Sequence, residues 1–152
     1  MKSEVRGLRV VITGSSSGIG LGMAKELNAQ GCSVVINGRD AGKLKNAMNF
    51  LDGVTAIQAD VSHPAGAEKL ISEAVKHLGG LDAIICNVGG GVSVPAGHED
   101  YDEWQRMFAL NFWSATNIVE AGKEALIETA GTIVCVSSIC GIESIQGAPI
   151  TY

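Results

Sequence analysis

An apolar run, a glycine-rich turn and an amphipathic stretch follow one another between residues 8 and 30, and this succession constrains the fold most strongly. Val10, Val11 and Ile12 lie at the centre of a short run from Leu8 to Thr13, which reads as a buried strand. The turn Thr13-Gly14-Ser15-Ser16-Ser17-Gly18-Ile19-Gly20 follows. Ile19, Met23, Ala24 and Leu27 then recur at helical spacing up to Gln30, and Gly31 is a natural stop. A helix that starts at such a turn presents unpaired N–H groups and a partial positive charge there. Gly14 permits the tight turn, Gly18 lets the backbone approach an anion, and Gly20 lets the helix pack on the strand. Ser15 and Ser17 offer hydroxyl donors. The spacing is GxxxGxG rather than the commoner GxGxxG. The alternative is a plain structural turn. The flanking strand and helix favour a dinucleotide pyrophosphate site.

The rest of the chain repeats the alternation. Strands are expected at Ser33–Asn37, Val54–Ala59, Leu81–Cys86 and Thr132–Ser137. Between them, Asp40 can cap a helix through Leu51, Pro64 opens another that Gly79 ends, and a long helix spans Tyr101 to Glu128. This order predicts one α/β domain over 1–152, a doubly wound parallel sheet of the Rossmann type. With 152 residues, 46% of them hydrophobic, the chain can bury a real core. A net charge of -5 disfavours nucleic acid and a polybasic membrane contact. No apolar run reaches the length of a membrane span or of a signal-peptide core. Cys32, Cys86, Cys135 and Cys140 form no CxxC pair and read as buried thiols of a reducing, cytoplasmic protein. The scattered histidines, His63, His77 and His98, suggest no metal site.

The segments between these elements resemble the short-chain dehydrogenases/reductases. Thr13 to Gly20 matches the family turn TGxxxGIG at every fixed position, which implies cofactor contacts from Gly14, Ser15, Ser17, Gly18, Ile19 and Gly20. Asp60-Val61 looks like the family's adenine contact. Asn87-Val88-Gly89 resembles its NAG turn, with Val88 for Ala and Cys86 where a first Asn is usual. Asn111 matches a helical active-site Asn, and Ser137-Ser138-Ile139-Cys140-Gly141 resembles the SSxxG segment, so Ser138 falls on the catalytic Ser. Tyr152 lies near where the catalytic Tyr is expected.

The residues after the second strand bear on which cofactor is used. An acid there hydrogen-bonds the adenosine ribose, whereas a base attracts a 2′-phosphate. Here the strand ends Asn37-Gly38-Arg39. Gly38 stands in the acid's usual place, Arg39 has a fork suited to phosphate, and Asn37 can donate a further hydrogen bond. NADP is therefore expected over NAD. The bland alternative is a solvated Arg39 beside a helix-capping Asp40.

The resemblance implies hydride transfer between the nicotinamide and a carbonyl or secondary alcohol, expected in the reductive direction. It implies Tyr152 as acid/base, Ser138 on the substrate oxygen and Asn111 positioning a water. A Lys four residues after the Tyr, which lowers its ordinary pKa of about 10, would fall past residue 152. The chain therefore reads as a family domain truncated after about the fifth strand, with the fifth strand and the long helix's apolar side uncovered. Two alternatives follow: a non-catalytic NADP-binding module, or an inactive fragment of a longer enzyme. The expected partner is a small carbonyl or alcohol substrate, with a homo-oligomer (dimer or tetramer) at full length.

Overall fold

A computed structural model of the protein describes residues 5–143. Five parallel strands form one sheet in the order β3-β2-β1-β4-β5. They are β1 (Arg9–Ile12), β2 (Ser33–Gly38), β3 (Thr55–Gln58), β4 (Ala83–Cys86) and β5 (Thr132–Cys135). The helices are α1 (Gly18–Ala29), α2 (Ala41–Met48), α3 (Pro64–Leu78), α4 (Tyr101–Phe108) and α5 (Ser114–Thr129). This is the doubly wound architecture that the alternating pattern predicts. β1, β3, β4 and β5 are shorter than the expected runs, whereas β2 extends one residue further, to Gly38.

Two apolar layers flank the sheet. On one face Val11, Val35, Ile57 and Ile84 pack against Ala67, Leu70, Ile71 and Ala74 of α3 and Ile118 and Leu126 of α5. On the other, Val10, Ile12, Val34 and Ile36 pack against Ala24 of α1 and Leu44 and Ala47 of α2. Alternate residues of β1 and β2 serve opposite layers, as the period-two geometry of a strand requires. Both strands are buried on both faces, which explains their continuous Val/Ile runs. Ile19 departs from the expected helical stripe. It is 70% exposed, because it sits in the first turn of α1 and faces out over the rim instead of down onto the sheet.

The long helix expected from Tyr101 to Glu128 is interrupted. Residues Ala109–Trp113 form a π-helical segment between α4 and α5. The Ser114 hydroxyl donates to the Leu110 carbonyl at 2.6 Å and that of Thr116 to Trp113 at 3.2 Å. These bonds serve carbonyls that the widened turn leaves poorly paired. The segment leaves Phe108, Phe112 and Trp113 about half exposed. All four residues of β5 are exposed as well.

The order of strands places a topological switch between β1 and β4. Their crossovers lie on opposite faces, so a crevice opens beyond their C-terminal ends. Thr13 ties the two ends together. The Asn87 backbone N–H donates to the Thr13 hydroxyl at 2.9 Å, and that hydroxyl donates to the Ile85 carbonyl at 3.3 Å.

Candidate active site

The turn after β1 has the geometry of an anion cradle. Gly14 has φ +61° and Gly18 φ +55°, conformations that glycine adopts without strain. Gly20 has no room for a side chain. A Cβ there would lie 2.5 Å from the Gly14 carbonyl oxygen and 2.8 Å from Ser15 Cα. The turn therefore folds tightly onto the start of α1. Ser17, the N-cap of α1, makes no side-chain cap, and no acid stands in the first turn. In contrast, Asp40 and Asp100 cap α2 and α4 through the N–H groups of Lys43 and Glu103. The start of α1 is thus left to an external anion. Here a dinucleotide's pyrophosphate fits what the residues present.

A cleft of about 530 Å³ runs from this turn across the ends of β2 and β3. It brings together Gly14, Ser17, Ile19, Gly20, Asn37, Arg39, Asp60, Val61, Asn87 and Gly89, all expected from the sequence. Gly18 lies in the same turn. A second cavity of about 600 Å³ adjoins it and shares Ile19, Asn87, Val88 and Gly89. Asn111 and Ser138 line this second space. Two linked cavities over one sheet edge suit a two-part ligand with a reactant beside one end. Tyr152 lies outside the described residues.

Three sequence expectations change, and Asn111 gains a backbone partner. Ser15 is fully buried; its hydroxyl donates to the Ile12 carbonyl at 2.6 Å and accepts the Asn37 N–H at 2.9 Å. It holds the turn and offers no side-chain donor to a phosphate. Asn37 is likewise buried. Its Nδ2 donates to the Ile57 and Ala59 carbonyls, each at 3.1 Å, and Oδ1 accepts the Gly14 N–H at 3.4 Å. No side-chain donor is left over for a 2′-phosphate. Asn111 uses its amide on Gly90, donating to the carbonyl at 3.1 Å and accepting the N–H at 2.8 Å. Its side chain fixes the loop after β4, a role the sequence did not signal. Finally, only Cys32 and Cys86 are buried; Cys135 is exposed and Cys140 intermediate. Cys135 lies on β5, all of whose residues are exposed, and Cys140 lies past the strand's end.

Asn87 has a similar double character. It lines both cavities, yet its Nδ2 donates to the carbonyls of Thr13 at 3.0 Å and Gly14 at 3.2 Å. Asp60 accepts from the Ser62 hydroxyl at 2.6 Å and amide at 3.1 Å. Burial opposes its ionisation. The Ser62 bonds, with Arg39 and His63 nearby, outweigh that and keep its carboxyl below the ordinary range. Arg39 stands 3.7 Å from Asp60 with its side chain 68% exposed. It is held beside the cleft but remains open to a ligand.

Sequence reasoning missed Ser16 and Lys43, which also line the first cleft. A Cβ on Gly38 would come within 2.9 Å of the Ser16 hydroxyl, so this hydroxyl takes the room that a side chain there would fill. Lys43 had a signal: it falls in the first turn of the helix that Asp40 caps, directly after the end of β2.

A profile of the short chain dehydrogenase family matches residues 9–150, and the chain belongs to that family. An uncharacterized oxidoreductase of Staphylococcus aureus (strain MW2) is 33% identical over 143 residues, spanning 92% of this chain and 62% of the relative. Hydroxysteroid 11-beta-dehydrogenase 1-like protein A of Xenopus laevis is 35% identical over 154 residues, spanning 97% and 52%. The chain thus spans between half and two thirds of these relatives' length. Among solved structures, an NADH-dependent reductase, A1-R′, complexed with NAD, superposes with a TM-score of 0.89 at 26% identity, over 99% of this chain and 68% of that one. L-Sorbose reductase from Gluconobacter frateurii, complexed with NADPH and L-sorbose, gives 0.87 at 26%, over 96% and 58%. No helix among the described residues is long and apolar enough to cross a membrane.

Proposed function

We propose that the chain is the cofactor-binding part of an NADP(H)-dependent oxidoreductase that reduces a small carbonyl compound or oxidises the matching secondary alcohol. Both nicotinamide dinucleotides occur among its structural neighbours, so the end of β2 must discriminate. The observation that carries NADP is the group at that end: Gly38 where an acid would stand, Arg39 projecting from the same strand end, and Lys43 on the same cleft wall. Two cations and no carboxylate at position 38 favour a 2′-phosphate over a bare ribose hydroxyl.

Bound dinucleotide supplies the hydride. The protein's groups bind and position. The N–H groups of the Gly14–Gly20 turn hold the pyrophosphate, Asp60 and Val61 border the adenine, and Gly89 leaves the backbone open beside the nicotinamide ribose. Ser138 hydrogen-bonds the substrate oxygen, and Tyr152 exchanges a proton with it. Asn111 acts as a positioning residue through Gly90. The reductive direction, a cytoplasmic setting and a homo-oligomer of the full-length protein belong to the same reading.

Fluorescence titration with NADPH and NADH tests the reading. NADPH should bind at least tenfold more tightly, and Arg39→Asp should remove most of that preference. Equal affinity for both in the unaltered chain would refute the NADP assignment. Binding of neither would refute the cofactor site itself.

A further inference from the structure

The second cavity contains a pair of thiols that the hydride-transfer reading does not use. β4 and β5 are parallel, and Cys86 is the register partner of Cys135. Register partners on adjacent strands point their side chains to the same face. Their Cα atoms stand about one strand spacing apart, roughly 4.8 Å. That lies within the span of about 4.4–6.8 Å that a disulfide bridges. Both residues line the second cavity, together with Ser138 and Asn111. Cys135 is exposed and Cys86 is buried. A reagent in the cavity therefore meets Cys135 first.

We infer that Cys86 and Cys135 form a dithiol modification site in the floor of this cavity, which peroxides convert to a disulfide and trivalent arsenicals bridge. In the oxidative route, the Cys135 sulfur attacks the O–O bond of a hydroperoxide. One oxygen is retained as the sulfenic acid, and the rest leaves as alcohol or water. The Cys86 sulfur then attacks the sulfenic sulfur, the S–O bond breaks, the hydroxyl leaves as water with the Cys86 thiol proton, and the S–S bond forms. Two thiols are oxidised by two electrons in total and one peroxide is reduced. In the arsenical route no redox change occurs: an arsenic(III) dihydroxide loses two waters as two As–S bonds form.

The surroundings set the order and pace. Burial, chiefly, and the neighbouring Cys135 push the Cys86 thiol up to about 12. Cys86 is thus the slow, resolving partner, and closure is expected to rise steeply with pH. Cys32 is unsuited to this chemistry. It is buried in the other apolar layer, and its thiol donates to the Val5 carbonyl at 3.1 Å. Cys140 lines the same cavity but lies five residues beyond Cys135, past the end of the strand.

The test treats the folded 152-residue chain with hydrogen peroxide, or separately with phenylarsine oxide, followed by peptide mapping. The expected product is a species about 2 Da lighter that links the Cys86 and Cys135 peptides. It should be absent from Cys86→Ser and Cys135→Ser and retained in Cys140→Ser. One arsenical should block both thiols of the unaltered chain, which needs no variant to fold. A link through Cys140 or Cys32, or oxidation of Cys135 that leaves Cys86 free, would overturn the assignment. So would reaction only after addition of urea. None of these readouts depends on cofactor binding or turnover.

Discussion

The side-chain oxygen of Asn37 accepts the backbone N–H of Gly14 at 3.4 Å, from the end of β2 to the turn after β1. The same side chain donates to two carbonyls on the β3 side. One buried amide therefore registers three strand ends beneath the cleft. Asn37→Ala leaves the Ile57 and Ala59 carbonyls buried without this donor. Unpaired buried acceptors cost about 1–3 kcal/mol each. The variant should lose about 2–4 kcal/mol in urea unfolding and bind dinucleotide more weakly. A loss under 1 kcal/mol would show that water replaces the amide.

Gly20 and Gly22 lie on the same helix with opposite demands. Gly20→Ala drives a Cβ into the Gly14 carbonyl and the Ser15 Cα, backbone that cannot swing aside. It should destabilise by about 1–3 kcal/mol and abolish cofactor binding. Nothing lies within 4 Å of a Cβ on Gly22. Gly22→Ala should stabilise by about 0.5–1 kcal/mol through helix propensity alone. Thermal melts of the two variants should move in opposite directions.

Arg9 opens β1 and grips Asp82 before β4, with Nε and Nη2 donating to the carboxylate at 2.8 and 2.7 Å. These hydrogen bonds, against the opposing effect of burial, hold the Asp82 carboxyl at about 2. The folded value lies below the unfolded one. The contribution is therefore complete above pH about 4 and fades as pH falls toward 2. Glu103 is also held at about 2, first by Arg106 and then by Ser93. The difference between the parent chain and Asp82→Asn isolates the first pair. Urea midpoints should diverge at pH 6 and converge by pH 2; parallel curves would rule the linkage out.

Asn111 closes on both backbone groups of Gly90. Asn111→Ala should release the loop after β4, with a local cost of about 1–2 kcal/mol for two exposed hydrogen bonds. Hydrogen exchange at the Gly90 amide should quicken roughly tenfold, while the global unfolding midpoint barely moves. Unchanged exchange would mean that the π-helical segment holds the loop without this side chain.

Much of the site was legible in the linear order of residues. Local chemistry determines the strand–turn–helix unit around Gly14, Gly18 and Gly20, because φ, helix-start charge and apolar period are properties of neighbours in the chain. The same holds for the Asp40 cap and for Pro64 opening α3. Arg39 and Gly38 were legible because the end of β2 must lie beside the turn after β1 in any sheet of this order. The roles of Ser15, Asn37 and Asn111 were not. Each is a polar side chain whose partner comes from a distant segment, so only packing shows whether it faces ligand or backbone. The π-helical segment at Ala109–Trp113 was hidden because helical periodicity continues through it.

The sequence by itself determined the alternation of strands and helices, the glycine-rich turn and the cation after β2. Tertiary structure alone decided which polar groups remain free in the cleft and that Lys43 and Ser16 join its wall. It also brought Cys86 and Cys135 side by side. The physical reason is register. Strand pairing between β4 and β5 brings together residues far apart in the chain, and no local propensity encodes that distance.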